Sequence, residues 1–303
     1  MSLSTRYRGR FAPSPTGSLH LGSLVVALGS WLIARRNNGD WLLRIEDIDP
    51  PREIPGIAAQ QIETLAAFGM RSDEPVLWQS TRDDAYADAL ERLLLDGLAF
   101  PCHCSRSDLV ATDGIHRCCV ASDATHERED RQPAIRLRVD DGCIGVEDAI
   151  QGHYEQHAGP DIGDVVLRRA DGLWAYQLAV VVDDATQRIT EVVRGADLLD
   201  STPRQILLQR ALGFPTPAYA HLPLVVDVNG HKLGKSTDAP AVDPANPLPA
   251  LRAALLVLGQ DPRSIAGAGN AEAALRSALE HFDMAAIPTR REVRTATTAT
   301  SAA

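Results

Sequence analysis

Thirteen residues, Phe11 to Ser23 (FAPSPTGSLHLGS), contain two prolines, two glycines and one histidine, and the apolar run Leu24-Val25-Val26-Ala27-Leu28 comes directly after them. Proline and glycine at that density do not continue a strand or a helix, so the stretch is a turn. It lies between a β-type segment at 7–11 and a helical segment at 21–36, which Asn37-Asn38-Gly39 ends. A second β-type segment, Trp41-Leu42-Leu43-Arg44-Ile45, comes next. Strand, turn, helix and strand within roughly forty residues is the size of one parallel crossover unit. That unit commits the chain to an α/β architecture.

Residues 57–68 and 82–97 carry helical periodicity, the second through Ala85, Ala87, Leu90, Leu93 and Leu94. The runs Gln177-Leu178-Ala179-Val180-Val181-Val182, 189–193 and 222–228 are expected as strands covered on both faces. Asn229-Gly230 ends the last of them, and the prolines of HKLGKSTDAPAVDPANP predict a loop. Helices are expected over 251–258 and 271–281, before a tail rich in alanine and threonine. Cysteine usage is uneven: Cys102, Cys104, Cys118 and Cys119 crowd together while Cys143 stands apart. In a chain of intracellular character such a cluster suggests metal before disulfide. Cys102, Cys104, His116 and Cys119 supply the four ligands of a closed structural zinc site, with Cys118 as the alternative to Cys119.

The expected fold is therefore α/β: a Rossmann-like doubly wound parallel sheet with a zinc-containing insertion and a small C-terminal helical stem. The boundaries read as 5–100 and 166–240 for the two halves of the main domain, 101–165 for the insertion, 241–293 for the stem and 294–303 for the tail. The longest nearly apolar run, 24–34, holds Gly29 and Ser30 and stops at Arg35-Arg36, too short to span a bilayer. The first ten residues lack the apolar core of a secretion signal, which predicts a cytoplasmic protein without a membrane partner; a monomer is expected, though nothing in the sequence specifies the oligomeric state. A net charge of −10 excludes indiscriminate nucleic-acid binding but permits a local basic face, for which Arg204, Arg210, Arg290, Arg291 and Arg294 are candidates.

Two stretches suit phosphate chemistry. The N-terminus of the helix at 21–36 presents unpaired N–H groups, and Gly17, Gly22 and His20 allow a ligand to approach them. The second stretch, Lys232-Leu233-Gly234-Lys235-Ser236, is not a phosphate loop of the Walker type. The spacing from Gly230 to Gly234 is one residue short, and prolines come after it in place of a helix. It reads instead as a mobile loop whose two lysines can close over a triphosphate.

His20-Leu21-Gly22-Ser23 and Lys232 to Ser236 resemble the two ATP motifs of class I aminoacyl-tRNA synthetases. The phrases RFAPSPTGSLHLG, LLRIEDID and VVRGADLLDSTPRQ are specifically similar to glutamyl-tRNA synthetases, from about Gly9 to about Pro240. The resemblance implies that Pro13, Gly17, His20, Gly22, Ser23, Lys232 and Lys235 bind ATP, with His20 and Lys235 acting on transition-state charge and Mg²⁺ entering with the nucleotide. It implies a glutamate pocket of Arg10, Phe11, Ala12, Pro13, Ser14, Glu46, Tyr176 and Arg194, the arginines for carboxylates and Glu46 for the ammonium. It also supports zinc at the cysteine cluster.

The chain beyond Ser236 suffices for a small stem but not for an anticodon-binding region. This plan resembles the glutamyl-queuosine tRNA(Asp) synthetase family, as do GSLHLGSLVVALGSWL, RIEDIDPPRE and LAVVVDD. That resemblance implies ATP, L-glutamate and queuosine-containing tRNA(Asp) as partners, with a hydroxyl of the queuosine ring as acceptor. A shortened glutamyl-tRNA synthetase, a small-molecule nucleotidyltransferase and a non-catalytic RNA-binding module remain as alternatives at this level.

Overall fold

The computed structural model describes residues 6–119, 132–228, 230–233 and 239–294. Strands are β1 (Arg8–Phe11), β2 (Asp40–Ile45), β3 (Leu77–Trp78), β4 (Ala99–Cys102), β5 (Ala134–Leu137), β6 (Cys143–Asp148), β7 (Gly152–His157), β8 (Val165–Arg168), β9 (Glu191–Gly195), β10 (Ala218–Leu222), β11 (Leu224–Val226) and β12 (Glu292–Arg294). Helices are α1 (Leu21–Arg36), α2 (Ile57–Ala67), α3 (Asp83–Leu95), α4 (Tyr176–Thr186), α5 (Thr202–Leu212), α6 (Pro247–Val257) and α7 (Ala271–Glu280).

Helix α1 begins where His20, in extended backbone, accepts the Ser23 N–H on its own Nδ1 at 3.4 Å. It ends where the Asn37 side chain donates to the Ile33 carbonyl at 2.8 Å, with Arg35 and Arg36 placed favourably in the last turn. Trp41 donates to buried Ser30 at 3.0 Å and stacks on Phe11, which locks α1 against β1 and β2. At Gly29 a Cβ would stand 2.6 Å from Leu222 Cδ1, so glycine permits the close approach of α1 to β10. Helix α1 also packs against α6 and α7, whose Leu251, Leu255 and Leu275 join the same buried core, as does Leu258 just after α6.

Strands β1, β2 and β3 pair in parallel, with Arg8 opposite Asp40 and Arg44 opposite Leu77. Strands β9 and β10 pair in parallel, β6 joins β10 in parallel at Asp148 and Tyr219, and β7 closes that edge antiparallel. Strand β1 lies against β9, where the Thr190 N–H donates to the Arg8 carbonyl at 2.9 Å. The sheets β3-β2-β1 and β9-β10-β6-β7 thus lie edge to edge, and the strand order runs outward in opposite senses from the junction of β1 and β9. In doubly wound sheets ligands gather at the carboxyl ends of the strands at such a point.

Two strand expectations are corrected. Gln177 to Val182 lies in helix α4, not in a strand. Leu178 through Asp184 are all buried there, and a helix buried on every face shows the same unbroken apolar run as a central strand. The expected strand 222–228 is divided by Pro223, which has no N–H for a ladder. Its first part belongs to β10, and β11 pairs instead with β12. Segment 101–165 supplies β5 to the antiparallel sheet β4-β5-β8, and also sends β6 into the main sheet. Among the described residues no helix is long and apolar enough to cross a membrane.

Candidate active site

The turn after β1 is held from several sides. Gln61 on α2 donates to the carbonyls of Ser14 (3.1 Å) and Gly17 (2.7 Å), and the Glu46 N–H donates to the Pro13 carbonyl at 3.0 Å. These bonds leave a cavity of about 250 Å³ at the N-terminus of α1, lined by Pro13, Gly17, His20, Gly22, Ser23, Asp197, Lys232 and Leu233 among others. Early and late parts of the chain therefore face each other across it. A Cβ on Gly22 would meet His20 Cε1 at 3.0 Å and the Leu233 carbonyl at 3.4 Å. Because His20 Nδ1 accepts from the helix, the ring proton belongs on Nε2 whenever the imidazole is neutral. Lys232 pairs with Asp197, an acid in the same cavity that a phosphate must compete with. Lys235, with Gly234 and Ser236, lies outside the described residues.

A second cavity of about 290 Å³ adjoins the first and is lined by Arg10, Phe11, Ala12, Ser14, Glu46, Tyr176, Arg194, Gly195 and Leu198. Phe11, Ser14 and Gly195 line both. Its residues come from the ends of β1, β2 and β9 and the start of α4. Pro13, expected in both sites, lines only the first.

The charges around the second cavity are buried. Arg10, 3% exposed, gives Nε and Nη2 to the two oxygens of Asp184 at 3.1 and 3.2 Å, so its bidentate edge is already committed. Arg44, fully buried, donates to Asp184 at 2.8 Å and stands 3.5 Å from Glu46. Burial pushes the Glu46 carboxyl above its ordinary value, against the opposing pull of Arg44 and Arg10. Burial and the nearby Glu46 push the Tyr176 phenol upward. Burial raises the Asp184 carboxyl too, but the guanidiniums of Arg10 and Arg44 outweigh it and hold that group below the usual range.

Arg194 differs from Arg10. It is 4% exposed and donates to His221 Nε2 (2.9 Å), Gln205 Oε1 (2.7 Å), Thr202 Oγ1 (2.8 Å) and the Leu198 carbonyl (3.2 Å). Among the described residues none of these partners is a carboxylate. No carboxylate contacts this buried guanidinium directly, and of its five N–H donors one, on Nη1, is left for an anion in the cavity.

A third and larger cleft, about 980 Å³, meets the second at Ser14, Glu46 and Tyr176. Its far wall carries Arg52, Arg136, Arg169, Arg204 and Trp174 and reaches Cys104.

Cys102, Cys104, His116 and Cys119 bring four ligand atoms within 4.8 Å of one another. Cys102 Sγ lies 3.2 Å from His116 Nε2, and Cys119 Sγ lies 3.8 Å from the same nitrogen. Both adjacent cysteines are exposed, but only Cys119 belongs to the group of four, and Cys118 lies outside it. Burial and the neighbouring Cys102 and Cys104 push the Cys119 thiol upward. His116 Nδ1 bonds Asp164 at 2.7 Å, the orienting contact usual for a metal-ligating histidine. The donor set fits a metal ion.

Sequence reasoning missed Asp197, Gln61, Asp184, Arg44, Gln205 and His221. Asp197 and Gln205 fall inside VVRGADLLDSTPRQ, Arg44 inside LLRIEDID and Asp184 inside LAVVVDD, so a local signal existed for those four, while Gln61 and His221 lie in none of the quoted segments.

A family model described as class I tRNA synthetases (E and Q), catalytic domain, matches residues 6–246. A glutamyl-Q tRNA(Asp) synthetase of Xanthomonas axonopodis pv. citri is 57% identical over 96% of this chain and 95% of its own length. One of Burkholderia cenocepacia is 56% identical over 84% of this chain and 88% of its own. Among solved structures, a glutamate tRNA ligase from Elizabethkingia meningosepticum in complex with its amino acid superimposes with a TM-score of 0.77 at 27% identity, over 95% of this chain and 67% of that one. The glutamate-tRNA synthetase of Elizabethkingia anophelis gives 0.78 at 26%, over 96% and 68%.

Proposed function

The chain belongs to the class I tRNA synthetases of the E and Q type, and on that premise we propose that it activates L-glutamate with ATP and passes the glutamyl group to queuosine in the anticodon of tRNA(Asp). It is a ligase of that family. The observation that carries the reading is the wall shared by the first two cavities: Phe11, Ser14 and Gly195 face both, so a carboxylate in one lies beside a nucleotide in the other.

In this reading the α-carboxylate of glutamate attacks the α-phosphorus of ATP, and pyrophosphate leaves. A queuosine hydroxyl then attacks the acyl carbon of the adenylate, and AMP leaves. No protein nucleophile is needed, so catalysis rests on alignment and charge. His20 donates through Nε2 to phosphate oxygens. Lys232 exchanges Asp197 for phosphate, Lys235 joins it on the same loop, and Gly17, Gly22 and Ser23 let the nucleotide approach the α1 N-terminus. Mg²⁺ enters bound to ATP. Arg194 takes a substrate carboxylate, Glu46 the ammonium, and Arg10, Ala12 and Tyr176 complete the pocket. The arginine-lined third cleft, open to Glu46 and Tyr176, admits the RNA.

The thiol-rich set of three cysteines and one histidine favours zinc, which would brace the β4 region and take no part in the chemistry. An enzyme that acts on mature tRNA works in the cytoplasm, where we expect a monomer. The queuosine acceptor is supported by 57% identity to a glutamyl-Q synthetase against 27% to a glutamate tRNA ligase. The test is labelled glutamate with ATP and tRNA(Asp) carrying or lacking queuosine. Labelling of only the queuosine-bearing RNA is expected. Equal labelling of both, or charging of tRNA(Glu), rejects the assignment.

A further inference from the structure

We propose that Asp148 and His221 form a positioning pair for Arg194, fixing the His221 tautomer so that its Nε2 always accepts from the guanidinium. The proposal rests on the reading of Arg194 as the residue that meets a substrate carboxylate, and deepens it.

The geometry admits one proton arrangement. Arg194 Nε donates to His221 Nε2 at 2.9 Å, and guanidinium nitrogens only donate, so that ring nitrogen carries no proton. The proton therefore sits on Nδ1, which donates to Asp148 Oδ2 at 2.5 Å. The other oxygen of Asp148 accepts the N–H groups of Ile150 (3.0 Å), Gln151 (2.8 Å) and His221 (3.1 Å), so the carboxylate cannot turn. Both side chains are fully buried. Tyr219 stacks on the imidazole, and Arg194 stands over the same phenol ring. Burial pushes His221 below its ordinary value, and the nearby Arg194 and Arg10 act in the same direction against Asp148.

The arrangement explains why Arg194 is treated unlike Arg10. Arg10 meets its carboxylate, Asp184, directly. Arg194 is separated from Asp148 by a neutral imidazole, so it is oriented with no carboxylate on its donors and one Nη1 N–H remains for the cavity. Asp148 reaches this place because β6, in the same stretch of chain as the metal cluster, pairs with β10 at Tyr219.

The decisive variant is Asp148→Asn. Its oxygen can keep the three backbone N–H groups, leaving the amide nitrogen facing His221. The ring proton must then move to Nε2, where it opposes the Arg194 donor. In glutamate-dependent ATP–pyrophosphate exchange, the glutamate KM is expected to rise about tenfold or more with the ATP KM changed less than about twofold. In a His221→Gln background the side-chain oxygen accepts from Arg194 whatever lies behind it, so Asp148→Asn should add less than about twofold. Equal effects in the two backgrounds, or ATP and glutamate KM rising together, overturn the proposal. Should Asp148→Asn fail to fold, His221→Gln and His221→Asn decide. Gln reaches the Nε2 position and Asn does not, so an equal glutamate KM for the two overturns it. Arg194→Gln separates the levels. If it leaves the glutamate KM unchanged, the cavity reading itself fails. If it raises that KM while Asp148→Asn does not, only the positioning pair fails.

Discussion

Arg10 and Arg44 share one counter-ion: Asp184 receives Arg10 through both carboxylate oxygens, at 3.1 and 3.2 Å, and Arg44 at 2.8 Å through one of them. Two buried guanidiniums thus converge on a single helix-borne acid at the foot of the second cavity. Asp184→Asn keeps the shape but leaves both charges without their carboxylate. Removing one partner of a buried pair typically costs about 3–5 kcal/mol, so urea denaturation should show a loss in that range. A loss under about 1 kcal/mol would mean that solvent or Glu46 already balances the arginines.

Gly22→Ala probes the meeting of the two ATP-facing segments. The added Cβ would press on His20 Cε1 at 3.0 Å and Nδ1 at 3.1 Å, so the imidazole that caps Ser23 must give by a few tenths of an ångström. Alanine is favoured over glycine in helices by about 1 kcal/mol, so stability should change little. The ATP KM in pyrophosphate exchange should nevertheless rise about tenfold, with the glutamate KM much less affected. An unaltered ATP KM would remove His20 from the nucleotide site.

Metal content distinguishes the two adjacent cysteines. Elemental analysis of the purified protein should find about one zinc per chain, as four protein ligands in a closed site require. Cys119→Ser and His116→Ala should lose it, and exposed Cys118→Ser should retain it. Chelation should lower the thermal midpoint, since structural metal binding is coupled to folding. Equal retention by all three variants would place the metal elsewhere.

Stability should depend on pH through His221 and Asp148. His221 has a folded pKa below its ordinary 6.5, so as pH falls the unfolded chain binds that proton first. Its contribution is complete above pH 6.5 and declines below it until the folded histidine titrates. Asp148 has a folded pKa below 3.8, held down by His221 and backbone N–H groups against burial, so its contribution survives to more acid pH before it is lost. The groups facing His221 are Asp148 on β6, Arg194 on β9 and, farther away, Arg10 on β1. Exposed His153, raised by Glu147 and Glu155, acts in the opposite sense, so the difference between wild type and His221→Gln isolates the effect. Urea midpoints compared at about pH 7.5 and about pH 5.5 should fall more for wild type than for the variant. Parallel behaviour contradicts a neutral, buried His221.

Part of this molecule is written in short-range pattern. The strand, turn and helix from Arg8 to Arg36 arise from prolines, glycines and a capping histidine within a few residues of one another, because caps and turns are local hydrogen bonds. The cysteine cluster was also legible, since its ligands come as tight local pairs. Helix α4 was not. Its apolar run looks the same whether both faces of a strand or all faces of a helix are buried, and only the packing of α3 and α5 around it selects the helix. The balance of charge in the site was decided by tertiary structure alone. Arg10 and Asp184 are 174 residues apart in sequence, Arg44 and Asp184 are 140 apart, and Asp148 and His221 are 73 apart. A contact between elements that distant leaves no spacing to read. It exists because β1, β2 and α4, and likewise β6 and β10, are packed side by side with their charged groups out of water.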